Sequence, residues 1–253
     1  VRSTVVANNS GGSSTAANSA SSGQIAAAAG GGITGHDAPQ SVINSTSTTS
    51  SFSGTVTGVA SGERVYIAIG ALSGNTAADD TSTWAVTLDG NTVSATDTTN
   101  SSGTVNAVTW CGEIDAPSTG DLTLAVNCGA NVRALQATAW RIAGQHATPT
   151  TSANATQSNS GSTSRVAPGS LTTGYDDSVI LSYVCVKGGS NITGLAVATA
   201  DGSSTGDTGS DSVNDIAFGY AHDLVATAGS ETLTWSWTGS ASSAAVYFEV
   251  RPA

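Results

Sequence analysis

A two-residue alternation of apolar and polar side chains runs through the chain from about residue 41 and fixes what it can fold into. Val65, Ile67 and Ile69 alternate with Arg64, Tyr66 and Ala68, and Leu122, Leu124 and Val126 with Thr123, Ala125 and Asn127. Leu233, Trp235 and Trp237 alternate with Thr232, Thr234 and Ser236, and Val246, Phe248 and Val250 with Tyr247, Glu249 and Arg251. Side chains on a strand point to opposite faces in turn, so this period belongs to half-buried antiparallel strands. The run VILSYVCV (179–186) is apolar on both parities and reads as a central strand. No segment combines a helical period with good helix formers and caps.

Turn signals separate the runs at the ~8–12-residue spacing of a sandwich or barrel. Asp89-Gly90-Asn91, between WAVTL and TVSAT, is a hairpin signal, and Ser118-Thr119-Gly120 and Gly188-Gly189-Ser190-Asn191 act similarly. The expected fold is all-β with roughly 13 to 15 strands. It is an antiparallel, jelly-roll-like β-sandwich over 41–253, preceded by an extended low-complexity arm over 1–40. The arm, with NNSGGSSTAANSASSGQ and IAAAAGGG, has no apolar period, and reads either as a tether that orders on a partner or as a solvated tail. The Ser/Thr-rich stretch 148–164 is the candidate internal boundary. Residues 123–144 and 232–253 echo each other, either as an internal repeat or as two successive hairpins of one sandwich. Neither half is followed by a Pro-rich or charged linker, which favours the hairpins.

Composition narrows the function classes. Only 10% of the 253 residues are charged, against about 25% in an ordinary domain. Seven Lys and Arg against 18 Asp and Glu give a net charge of −11, which argues against nucleic acid and anionic lipid as partners. No run approaches a membrane-spanning length. The Val1 end has no basic-then-apolar leader pattern, and the absence of Met suggests a chain that starts after processing or a sequence that begins partway along a longer one. Low charge with abundant Ser, Thr and Gly suits a protein that persists outside a cell. Cys111, Cys128 and Cys185 fit no zinc spacing. Three buried thiols are expected, with one disulfide plus a free thiol as the alternative.

Reactive chemistry needs convergent titratable groups, and the sequence offers few. Of His36, His146 and His222, only His222 lies in a strand-like run, and Asp223 beside it points to the other face. GxSxG, HExxH and P-loop patterns are absent. Carboxylates cluster at Asp79-Asp80, at Asp176-Asp177, and through DGSSTGDTGSDSVND. There Asp201, Asp207, Asp211 and Asp215 form a Gly-rich stretch that either binds Ca²⁺ or is a polar surface loop. No catalytic residue and no other cofactor is expected. The tryptophans Trp84, Trp110, Trp140, Trp235 and Trp237 share parity with apolar residues and read as core. Tyr66, Tyr183 and Tyr247 are the aromatic side chains expected at the surface. Loops 73–82, 96–103 and 201–215 are the candidates for outward contacts.

The series WAVTLDGNTVSAT, GTVNAVTWCGEIDAPSTGDLTLAV, ALQATAWRIAG and LTWSWTGSASSAAVYFEVRPA resembles β-sandwich modules of tailed-phage and gene-transfer-agent-like virion surface proteins and of secreted bacterial surface proteins. The carrying features are Trp84 to Gly90, the Ala116-Pro117-Ser118-Thr119-Gly120 turn, Leu122 to Val126, Trp140 to Gly144, and Val246 to Pro252. The resemblance covers about residues 80–253. It implies a non-enzymatic structural protein, a capsid decoration, head fibre, spike or tail-fibre module. Residues 1–40 would attach it to other virion proteins, and it would be a homo-oligomer with a host-surface glycan as a further partner. A secreted adhesin or carbohydrate-binding module is the alternative.

Overall fold

The alternating runs pair into antiparallel ladders in a computed structural model that describes residues 33, 35–36, 38–74, 80–101, 106–146, 152–157, 171–188, 192–198, 200–209, 214–231, 234–239 and 241–253. The protein is nearly all β, as its alternation requires. The first half holds β1 (Gly35–His36), β2 (Gln40–Ser45), β3 (Thr49–Val59), β4 (Arg64–Ser73), β5 (Ala85–Leu88), β6 (Asn91–Thr92), β7 (Ser94–Asn100), β8 (Ala107–Asp115) and β9 (Gly120–Ala143). The second holds β10 (Ser152–Gln157), β11 (Leu171–Thr172), β12 (Ser178–Lys187), β13 (Thr193–Ala198), β14 (Gly202–Asp207), β15 (Ile216–Val225), β16 (Ser230–Glu231), β17 (Thr234–Thr238) and β18 (Ser243–Val250).

The two halves repeat one topology. The inner sheet of the first half runs β2–β9–β4–β8–β7, and that of the second runs β10–β18–β12–β15–β14. Each sheet takes its strands from its half in the same chain order. Small details recur too. Ser73 N–H donates to Asn106 O where Gly188 N–H donates to Asp215 O, and Ser101 N–H to Ala107 O where Thr208 N–H donates to Ile216 O. The 24-residue β9 turns a corner at Gly129 (φ 69°). Its first part pairs with β3 and β5 in an outer layer, and its second with β2 and β4. In the second half the same corner is Gly239 (φ 114°), which splits the run into β17 and β18. The echo between 123–144 and 232–253 is therefore a repeat, not two hairpins of one sandwich.

Four β layers enclose three apolar spaces. Val65, Ile67, Ile69, Leu122 and Leu124 fill the space inside the first half. Ile180, Val184, Val186, Trp235 and Trp237 fill the one inside the second, where the Trp235 indole N–H donates to Ser182 Oγ at 2.7 Å. Between them the two inner sheets meet face to face. Tyr66 stacks on Phe248 at 5.8 Å, and Trp140 lies edge-on to Tyr220 and Phe248 at 6.3 and 6.2 Å. The Tyr183 hydroxyl crosses this space and donates to Gln136 Oε1 at 2.6 Å, while Gln136 Nε2 donates to Thr138 Oγ1 at 2.7 Å. Polar ties close the rim, from Asn44 Nδ2 to Asp207 O and from Arg133 Nη1 to Asn214 Oδ1.

This layering corrects two expectations. Tyr66, Tyr183 and Tyr247 are buried at 1%, 0% and 2% exposure, because an inner sheet has apolar partners on both faces and no polar parity. The sandwich also begins before residue 41. Ile33 is buried between the inner sheets, β1 pairs with β9, and β2 starts at Gln40. One apolar residue in a Gly-rich run carries no period, so the boundary was hidden. Residues 1–32 and most of 148–164 lie outside the described residues.

Candidate functional site

The aspartate stretch does not fold as one loop. Gly202–Asp207 is the edge strand β14, so Asp201 and Asp207 stand at its opposite ends, about 20 Å apart at the rise of a strand. Asp201 Oδ2 accepts the Leu224 N–H at 2.9 Å, and Asp215 is buried at 2% exposure. Asp211 lies outside the described residues, among which no group of three or more His, Cys, Asp or Glu could hold a metal ion. A polar run at a sheet edge pairs on one side only, so GSSTGD needs no apolar period to be a strand. Likewise 96–100 belong to edge strand β7, and β4 extends to Ser73, so neither 73–82 nor 96–103 is wholly a loop.

His222 and Asp223 fall on opposite faces of β15. Burial first, then the charges of Asp201 and Glu231, push the Asp223 carboxyl up to about 6. The folded chain thus holds this proton more tightly than the unfolded chain, whose carboxyl titrates near 3.8. Stability from this group is present below the unfolded value and lost as pH rises through the folded one. Asp223→Asn should therefore raise the melting temperature at pH 7.5 and leave it unchanged near pH 4. A difference that does not vary with pH would refute the assignment.

All three thiols are free and buried. Burial raises the Cys128 thiol to about 12 and Cys111 and Cys185 further, so none is a nucleophile at neutral pH. All five tryptophans are buried as well.

Two charged clusters went unread in the sequence. In the first half, Arg64 Nε meets Asp115 Oδ1 at 2.8 Å and its Nη1 lies 3.6 Å from Glu113 Oε1. Burial raises the Glu113 carboxyl against the pull of Arg64. Arg141 bonds Gly58 O and lies 3.5 Å from Glu63 Oε2, tying the β3–β4 turn to β9. In the second half the fully buried Glu249 accepts N–H bonds from Gly174 (3.1 and 3.2 Å) and Tyr175 (3.2 Å). Asp176 Oδ1 accepts the Ala228 N–H at 2.7 Å, and Asp177 sits at φ 56°. This fixed turn presents Tyr175 at 45% exposure, with the Arg251 guanidinium 5.0 Å from its ring centroid and Nη1 3.0 Å from its hydroxyl. Tyr175 sits outside every alternating run, so only the Asp176-Asp177 pair beside it was visible as a signal.

No family model, curated protein or solved structure matches the chain. Among the described residues, the large hydrophobic side chains left exposed are Tyr175 and Leu224. That makes the Gly174–Asp177 turn the surface feature best suited to contact.

Proposed function

We propose that this chain is a non-enzymatic structural protein on the surface of a tailed-phage-like particle, decorating the capsid or forming part of a fibre or spike. What carries the reading is the four-layer stack, two repeats welded through their inner sheets, with Ser and Thr on the outward face of the first. On that face Ser51, Ser53 and Thr55 of β3 oppose Asn127, Ala125 and Thr123 of β9. Continuous hydrogen-bonded ladders resist local opening and proteolysis, and a net charge of −11 keeps the surface soluble and away from released DNA. The virion-like motifs from Trp84 to Pro252 add to this.

Attachment is assigned to residues 1–32, since 33–40 include strands of the chain's own sheet. Homo-oligomerisation and adhesion to a host glycan belong to the same reading. Electron microscopy of particles from the source cells, labelled with antibody against the chain, should show regularly spaced label. Deleting residues 1–32 should release it. Label confined to the cell surface or medium would overturn the proposal in favour of a secreted adhesin or carbohydrate-binding module.

A further inference from the structure

The internal repeat gives the chain two equivalent turns. Each leads into the central strand of its inner sheet, and each is held by a side chain of the last strand. In the first half that turn is Ala60-Ser61-Gly62-Glu63, where Ala60 N–H donates to Glu63 Oε2 at 2.8 Å and Gly62 supplies a left-handed φ of 81°. In the second half Tyr175 and Asp177 stand where the first has Ala60 and Gly62. The fold needs neither, because Ala60 and Gly62 build the same turn. Asp177 does with strain what glycine does freely. Leu224, the other exposed apolar side chain, pairs with Val179, and Val179 with Val250, so it stands on their face of the sheet and not on that of Glu249.

We propose that Tyr175, with Arg251, Asp176 and Asp177, is a contact site for a neutral carbohydrate chain; this deepens, and rests on, the adhesion reading above. The phenol ring offers a fixed apolar plane for the C–H face of a sugar. Arg251 lies over the ring and fixes it, and the exposed carboxylates of Asp176 and Asp177 supply acceptors for sugar hydroxyls. Those carboxylates, on a chain of net charge −11, repel phosphate and acidic sugars. One exposed apolar ring is too little for a stable protein interface, which buries about 800 Å² on each partner. It covers a single sugar ring, and weak single contacts become strong when copies are arrayed on one particle.

The test uses the full chain against immobilised neutral oligosaccharides (gluco-, manno-, galacto- and chito-series), followed by titration with the best soluble binder. Tyr175→Ala should weaken binding at least tenfold with an unchanged melting temperature, while Tyr175→Phe, which keeps the ring, retains it within threefold. Full binding by Tyr175→Ala, or no binding of the unmodified chain to any of the series, would overturn the site. So would capture of a peptide ligand that Tyr175→Ala alone abolishes. Particle labelling is read separately. No sugar binding by the unmodified chain with labelling intact would refute this site and leave the structural role standing.

Discussion

Replacing Trp140 with alanine is expected to destabilise the chain by about 3–5 kcal/mol and to loosen both halves at once. Trp140 is fully buried on β9 in the first half, yet its ring neighbours Tyr220 and Phe248 belong to the second. Removing it opens a cavity in the shared space, which neither half can collapse alone. Urea unfolding followed by circular dichroism should show one transition shifted to lower denaturant. Against a typical total of 5–15 kcal/mol, such a loss is large. Trp140→Phe, a smaller deletion, keeps the test open if the alanine variant does not fold. Trp237→Ala is the contrast, because Trp237 packs only within the second half. Two independent transitions in the unmodified chain, or a Trp140→Ala loss below 1 kcal/mol, would show that the inner sheets do not couple the halves.

Strand type was legible because each apolar residue in an alternating run reports its own face. The layer count was not. Alternation in β3, the first part of β9, and β17 reflects one dry face and one wet face. In β4, β12 and β18 both faces are dry, and Tyr66, Tyr183 and Tyr247 occupy parities that look polar beside Ile67, Val184 and Phe248. A tyrosine on a second apolar face satisfies its hydroxyl locally, as Tyr183 does on Gln136. Sequence reading then mistakes an amphipathic core residue for a surface one. The repeat was half visible, in the closing strands alone. Its remaining evidence is pairing order, which no local pattern encodes.

The candidate site was less legible still. Sequence pointed to carboxylates by their density, and density favoured Asp201 to Asp215. The ladder with β15 holds Gly202–Asp207 straight and separates Asp201 from Asp207. The turn with Tyr175 carries only two adjacent aspartates as a signal. What fixes it, Glu249, lies 74 residues away from Tyr175 in the chain and sits on a strand face where a carboxylate looks solvent-directed. A charge placed by tertiary contact with backbone N–H groups is invisible to any window of sequence.

Glu249 therefore supports the second large expectation. Glu249→Ala should destabilise the chain by about 1–3 kcal/mol, because the part-buried Gly174 and Tyr175 N–H bonds lose their acceptor. Glu249→Gln keeps one acceptor oxygen and should fall between the two. Amide exchange at Gly174 and Tyr175 should accelerate in both variants, more in alanine, while exchange on β4 and β9 stays slow. Arg141, at the equivalent place in the first half, bonds a carbonyl on the exposed Gly58, which water can satisfy instead. Arg141→Ala, which also takes the ion-pair partner from the buried Glu63, should speed exchange in the Gly58–Glu63 turn and leave Gly174 and Tyr175 unchanged. Unchanged exchange at Gly174 and Tyr175 in Glu249→Ala would mean that the turn is held by packing and not by these polar contacts, and that Glu249 does not preorganise Tyr175.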